Sequence, residues 1–248
     1  MKHEEQAMAL ADDIANWIGE KVRGAGVNGA VMGLSGGIDS AVVSGLCAKA
    51  LGPKNVLGVI MPIHSNPEDT AYGVETAESW GIEQRTIDLS GAYDALVQIL
   101  PPGSDLANAN IKPRLRMITL YHLANTMGRM VIGTGNRSEL MAGYYTKYGD
   151  GGTDLLPIAG LYKWQVRELA RAIGVPQAIV DKPPSAGLWV GQTDEQEMGI
   201  SYADLDRTLE AIDAGQESTI EPDLLDKVTS MIRASEHKRH LPPIYGRE

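Results

Sequence analysis

The stretch GAVMGLSGGIDSAVVSGLCAKAL, residues 29–51, decides the fold. Its opening, Gly29–Leu34, is a short apolar run of strand length that stops at SGGIDS. AVVSGLCAKAL then continues in helix-forming residues, so the local order is strand, glycine-rich loop, helix. The same order recurs downstream. NVLGVIMP at 55–62 reads as a second strand, followed by a helix that opens at Pro67 with Asn66 as its cap. IEQRTIDL at 82–89 is a third strand, and helical stretches are predicted over about Gly91–Leu100 and Asp105–Met127. MVIGTGN at 130–136 reads as a fourth strand, with LLPIAG at 155–160 as a candidate fifth. Upstream, Leu10, Ile14, Trp17, Ile18 and Val22 form one apolar stripe on a helix that Gly24 and Gly26 end.

Strands alternating with helices imply parallel pairing through right-handed crossovers. The expected architecture is therefore an α/β fold, an open doubly wound parallel sheet covered on both faces. In such sheets ligands bind beyond the carboxyl ends of the strands. SGGIDS follows the first strand and GTGNRSE the fourth, so both loops should lie on one edge. No repeat, low-complexity tract or linker divides the chain, and residues 1–248 are expected to form one domain. The stretch Lys182–Thr193, rich in proline and glycine, is too polar for core and is a candidate lid.

Composition excludes several classes. The net charge of -10 argues against a nucleic-acid or anionic-membrane partner. The amphipathic N-terminal segment lacks the features of a secretory signal, and no apolar run reaches the ~20 residues of a membrane span. A single cysteine, Cys47, can form neither an internal disulfide nor a cysteine zinc cluster, which fits a reducing, cytoplasmic setting.

Gly33–Ser40, GLSGGIDS, is the sharpest chemical signal. Small residues let successive backbone N–H groups turn inward as an anion nest, and the following helix terminus adds positive potential. The loop has neither the lysine of a Walker motif nor GxGxxG spacing. It also matches GxSxG, the nucleophile elbow of α/β-hydrolases, with Ser35 as nucleophile and His237 or His240 downstream. Against that reading, no HGGG segment precedes it, and Asp39 puts a second anion one turn from the serine.

SGGIDS resembles the signature of the ATP pyrophosphatases, and the remainder of the chain is similar to one branch of them, the NAD synthetases. The strings that carry the resemblance are NIKPRLRM at 110–117, GTGNRSE at 133–139, YTKYGDGGTDLLP at 145–157, KPPSAGLW at 182–189 with GQTDE after it, and EHKR at 236–239. The resemblance implies an adenine nucleotide α-hydrolase-like sheet and a ligase that amidates deamido-NAD with ammonia, consuming ATP through an adenylated intermediate. It places ATP on Gly33, Leu34, Ser35, Gly36, Gly37, Ile38, Asp39 and Ser40, with Thr134, Lys163 and Ser185. It gives Mg²⁺ to Asp39 and Glu139, and deamido-NAD to Arg114, Lys147, Asp154, His237 and Lys238. Asp154 is a possible base, or positions the substrate. Relatives form homodimers with substrate sites at the interface near Arg114, and Ile111, Leu115, Ile118 and Tyr121 offer apolar spacing for either interface or core. The chain departs from the pattern in having no Phe: Leu106 stands where relatives place a ring-stacking aromatic, and Trp17 is the substitute on offer. Glutamine-dependent relatives carry an extra amidase domain with a cysteine nucleophile, whereas Cys47 falls in an apolar helix, so ammonia is the expected nitrogen source.

Overall fold

The structure, a computed structural model, describes residues 2–185 and 193–246. The fully buried β2 (Val56–Ile60) pairs in parallel with β1 (Ala30–Gly33) on one side and with β3 (Glu83–Thr86) on the other. β4 (Met130–Val131) pairs in parallel with the free side of β1, giving the order β3-β2-β1-β4. The chain winds outward from β1 to β3 and then crosses back to β4. The carboxyl ends of β1 and β4 are thus neighbours at a topological switch point. That juxtaposition brings SGGIDS and GTGNRSE together, as their place after adjacent strands requires.

Helices cover both faces. α1 (Lys2–Gly24), α2 (Ile38–Leu51) and α8 (Lys163–Ile173) pack on one another and over the face that carries Ala30, Met32, Val56 and Ile60. α2 is apolar nearly all round because it lies between these neighbours, with Ile38 and residues 40–47 buried. Cys47 is wholly buried there, and loss of solvent pushes its thiol up to about 12, so it is no nucleophile. The opposite face, with Val31, Leu57 and Val59, is covered by α6 (Ile111–Met127). α3 (Pro67–Trp80) starts as its sequence demands: Asn66 accepts from the Glu68 N–H, and Pro67 occupies the first turn. α4 (Ser90–Ile99) follows β3. A second hydrophobic cluster, built on Tyr202, Leu205, Leu209 and Val228, joins α7 (Arg137–Ala142), α10 (Asp194–Met198), α11 (Tyr202–Asp213) and α12 (Pro222–Arg239). α9 (Gln177–Asp181) leads from α8 toward the 182–193 stretch, whose residues 186–192 lie outside the described ones.

Three expectations are corrected. LLPIAG is no strand: it makes a single parallel bridge, Ile132 to Leu155. Pro157 has no N–H to extend a ladder, and β4 offers only two residues to pair with. The helix expected over Asp105–Met127 is two helices, α5 (Asp105–Ala109), capped by Ser104, and α6. Pro113 cannot donate to the carbonyl four residues back, so a continuous helix would lose a bond there, whereas the first turn of α6 tolerates it. The N-terminal stripe is also rotated: Ala11, Ala15, Ile18 and Val22 are buried, while Trp17 is 37% exposed beside Leu156 and Pro157.

Gly36 is a position where this packing demands glycine. Its φ is +74°, and a Cβ there would stand 2.4 Å from the Asp69 carbonyl oxygen. Gly36→Ala is therefore expected to cost about 1–3 kcal/mol, lowering the calorimetric midpoint by roughly 2–4 °C per kcal/mol. Gly24→Ala, at a helix end with nothing within 4 Å, should leave the midpoint unchanged or raise it.

Candidate active site

The loop after β1 is held open by its own small side chains. Ser40 Oγ donates to the Gly37 carbonyl at 2.9 Å and lies 3.1 Å from Ser35 Oγ, while the Gly37 N–H points to Ser35 Oγ at 3.2 Å. The Gly37 N–H and the two hydroxyls thus cluster at the N-terminus of α2, the kind of place that receives an anion. This loop is the candidate phosphate cradle.

Beside it, three charged side chains from three distant segments converge. Lys163 Nζ lies 2.5 Å from Asp39 Oδ2 and 3.2 Å from Glu139 Oε1. Asp39 comes from the first turn of α2, Glu139 from α7 after β4, and Lys163 from the first turn of α8. Asn136 links the first two. Its amide donates to Asp39 Oδ1 at 2.9 Å, and its own oxygen accepts from the Glu139 N–H at 3.0 Å, one half of a capping box with Glu139. The pattern N-x-x-E in GTGNRSE is the local signal for that box, and Asn136 is a site residue that the sequence reading left out.

Lys163 is 2% exposed at a helix N-terminus, where a cation faces the positive end of the dipole. Two devices make this tenable. Asp206 of α11 accepts from the Trp164 N–H at 3.0 Å and from the Ser138 hydroxyl, and Ser138 Oγ accepts from the Lys163 N–H at 3.0 Å. The helix terminus is thereby capped by side chains from two other helices. Burial disfavours the ammonium, but the Asp39 and Glu139 carboxylates more than offset it and raise the Lys163 pKa. Glu139 behaves differently: burial is the largest influence, Asp39 adds repulsion, and together they outweigh Lys163, pushing the carboxyl from 4.5 up to about 7. One ammonium is shared by two carboxylates, and the second is left under-compensated. Tyr202 closes the cluster, its ring 5.0 Å from Lys163 Nζ and its hydroxyl 3.0 Å from Asp194 Oδ2 and 3.5 Å from Glu139 Oε1.

A second group of expected residues also assembles. Arg114 of α6 donates to the Lys147 carbonyl at 3.4 Å, and Lys147 Nζ donates to the His237 carbonyl at the end of α12. Lys238 donates to the Gly143 and Tyr145 carbonyls at 2.6 and 2.8 Å. Side chains of Arg114, Lys147 and Lys238 thus tie the first turn of α6, the 143–147 loop and the end of α12 together. Asp154 stands apart from this chain of bonds: it accepts from the Tyr121 hydroxyl at 2.9 Å and from the Val131 N–H at 2.8 Å, so each oxygen already has a donor. Thr134 is half-buried in the loop after β4, and Ser185 is exposed at the edge of the described residues.

A family model described as NAD synthase matches residues 10–242. The NH(3)-dependent NAD(+) synthetase of Finegoldia magna is 50% identical, over 93% of this chain and 92% of that one. Among solved structures, the NMN synthetase from Francisella tularensis superposes with a TM-score of 0.90 at 37% identity, covering 97% of this chain and 99% of that one. The NH3-dependent NAD synthetase from Campylobacter jejuni gives 0.84 at 28% identity, over 96% and 98%.

The under-compensated carboxylate has a measurable signature. A carboxyl whose pKa rises on folding contributes stability that is present below its unfolded value of 4.5 and is lost as pH rises through about 7. In metal-free buffer, Glu139→Gln should remove that dependence. Thermal midpoints of the two proteins should diverge in favour of the variant between pH 5 and pH 8; a constant difference across that range would contradict the charge assignment.

Proposed function

The chain belongs to the NAD synthase family, and on that premise we propose how its residues carry out the family's reaction. That reaction is the ATP-dependent amidation of deamido-NAD by ammonia, the final step of NAD biosynthesis. A carboxylate has no leaving group, so it must be activated before ammonia can displace anything. One carboxylate oxygen attacks the α-phosphorus of ATP, the bond from that phosphorus to the bridging oxygen breaks, and pyrophosphate departs with the electron pair. Ammonia then adds to the adenylated carbonyl carbon, AMP leaves, and nitrogen loses a proton to give the amide.

The observation that carries this reading is the Asp39–Lys163–Glu139 cluster at the mouth of the cradle, on the carboxyl edge shared by β1 and β4. The departing pyrophosphate develops charge that must be met where it forms. The Gly33–Ser40 backbone and the Ser35 and Ser40 hydroxyls receive the β- and γ-phosphates. Lys163, placed at the mouth of the cradle by its two carboxylates, supplies a cation that turns to meet the phosphates, and Thr134 and Ser185 add hydroxyl contacts.

Mg²⁺ suits the donor set. Two hard carboxylate oxygens converge within reach of one ammonium, so the three side chains together carry one negative charge in excess. No fuller acidic cage exists among the described residues, in keeping with an ion that completes its shell with phosphate oxygens and water. Asp39 and Glu139 would hold it, and its chemistry is neutralisation of the phosphate charge. On the dinucleotide side, Arg114 and Lys147 counter the substrate's phosphates and His237 and Lys238 extend that surface. Asp154, with both oxygens bonded, is assigned the positioning role.

We also propose a homodimer through the α5–α6 face, where Leu106 and Ile118 are 58% and 59% exposed beside Arg114. Ile118→Asp is expected to convert the dimer to monomer in sedimentation at micromolar concentration and to lower activity with it. A wild-type monomer at that concentration would refute the interface.

The direct assay incubates the chain with Mg-ATP, ammonium chloride and deamido-NAD labelled with ¹⁸O in its carboxylate. NAD and AMP should appear in equal amounts, with one ¹⁸O in the AMP phosphate and none in pyrophosphate. ADP formation, or unlabelled AMP, would contradict α-phosphate activation. Because the Francisella neighbour is an NMN synthetase, the deamidated mononucleotide belongs in the same assay, with the dinucleotide expected to react faster. Asp39→Asn should lower turnover by about 10²–10³.

A further inference from the structure

Lys182 stands outside every role described so far. It lies just beyond α9, where its ammonium is 2.5 Å from Asp69 Oδ1, 3.2 Å from the Gly36 carbonyl oxygen and 5.1 Å from the centre of the Tyr72 ring. All three partners border the phosphate cradle: Gly36 belongs to it, and Asp69 and Tyr72 lie in the first turns of α3. The ion pair is largely shielded, with 21% of the lysine side chain and 25% of the aspartate exposed.

The peptide unit between Gly36 and Gly37 is the vulnerable one in the cradle. Gly36 sits at φ +74°, and glycine on both sides makes rotation of the intervening peptide plane easy. A trans peptide is planar, with its C=O and N–H pointing in opposite directions. A cation that holds the Gly36 oxygen on the outer side therefore holds the Gly37 N–H on the inner side, where it points to Ser35 Oγ. The same contact polarises the amide and strengthens its N–H as a donor. Gly36 is pressed against the Asp69 backbone, so lysine, aspartate and glycine peptide form one braced unit.

We propose that Lys182 is a positioning residue for ATP, fixing the Gly36–Gly37 peptide so that its N–H faces the β- and γ-phosphates. The inference rests on the reading of Gly33–Ser40 as the pyrophosphate cradle. A lysine that only ties α9 to α3 would affect stability and all nucleotides alike. A lysine acting through this one peptide affects only ligands that reach the cradle.

The test is calorimetric binding of magnesium pyrophosphate and of AMP, which carries only the α-phosphate, to wild type and Lys182→Met. The variant should bind pyrophosphate about tenfold more weakly, the scale of one lost charge-assisted hydrogen bond, and bind AMP as wild type does. Equal weakening of both ligands, or of neither, overturns the proposal. A wild-type chain that fails to bind pyrophosphate overturns the cradle reading beneath it.

Lys182→Cys makes the result independent of any folding defect. Alkylation of the introduced thiol with 2-bromoethylamine rebuilds an ammonium side chain of nearly lysine length. Cys47, wholly buried with its thiol pushed up to about 12, stays unmodified. Pyrophosphate affinity should be lost in the cysteine variant and restored on alkylation; a variant that folds and remains weak after full alkylation contradicts the assignment.

Discussion

The interaction on which the rest depends is one buried ammonium shared by two carboxylates. Lys163 is 2% exposed, and an unpaired lysine cannot remain charged there. Asp39 and Glu139 keep it charged, and in doing so they tie α8 to the loops after β1 and β4. Removing the lysine would leave two like charges facing one another. Removing a carboxylate relieves the excess on the other but dismantles the site. The cluster is thus a poor source of stability, as buried ion pairs often are, and here it ties three segments together.

The cost of this arrangement is distributed around it. The α8 terminus needs Asp206 and Ser138 because its natural cap position is Tyr162, which lacks a capping oxygen of the right length. Asn136 fixes Asp39 and caps α7 through the Glu139 N–H, so a single amide sets the relative position of both carboxylates. Tyr202 covers Lys163 with its ring and keeps its hydroxyl protonated, burial being the main reason, so it remains a donor to the acidic groups beside it.

What could be read from sequence followed the range of the interactions. The nest and its flanking strand and helix are local, and GAVMGLSGGIDS carries them in twelve consecutive residues. That both loops lie on one edge followed from strand alternation, whereas the crossover that makes β1 and β4 neighbours is a long-range feature with no local signal. Lys163 came from family resemblance, not from pattern: its partner Asp39 lies 124 residues away. Asp206 and Tyr202 had no local signal at all, because they act across α11 on helices far from them in sequence. Pro113 marked the start of α6 in plain view, but the apolar spacing of Ile111, Leu115, Ile118 and Tyr121 spans that proline and concealed its meaning. The expected fifth strand failed for the opposite reason: apolar content suggested pairing that Pro157 and the shortness of β4 do not permit.

The central claim is that the Asp39–Lys163–Glu139 cluster is where the phosphates of ATP and their metal are received. The most direct measurement is anomalous diffraction from crystals grown with Mn²⁺ in place of Mg²⁺ and a non-hydrolysable ATP analogue cleaved at neither phosphate bridge. The account predicts one manganese peak within coordinating distance of both Asp39 and Glu139, with the β- and γ-phosphates on the Gly33–Ser40 backbone and Lys163 turned from its carboxylates toward phosphate oxygen. Manganese bound elsewhere, with Lys163 still bridging the two carboxylates and the phosphates outside the cradle, would contradict it.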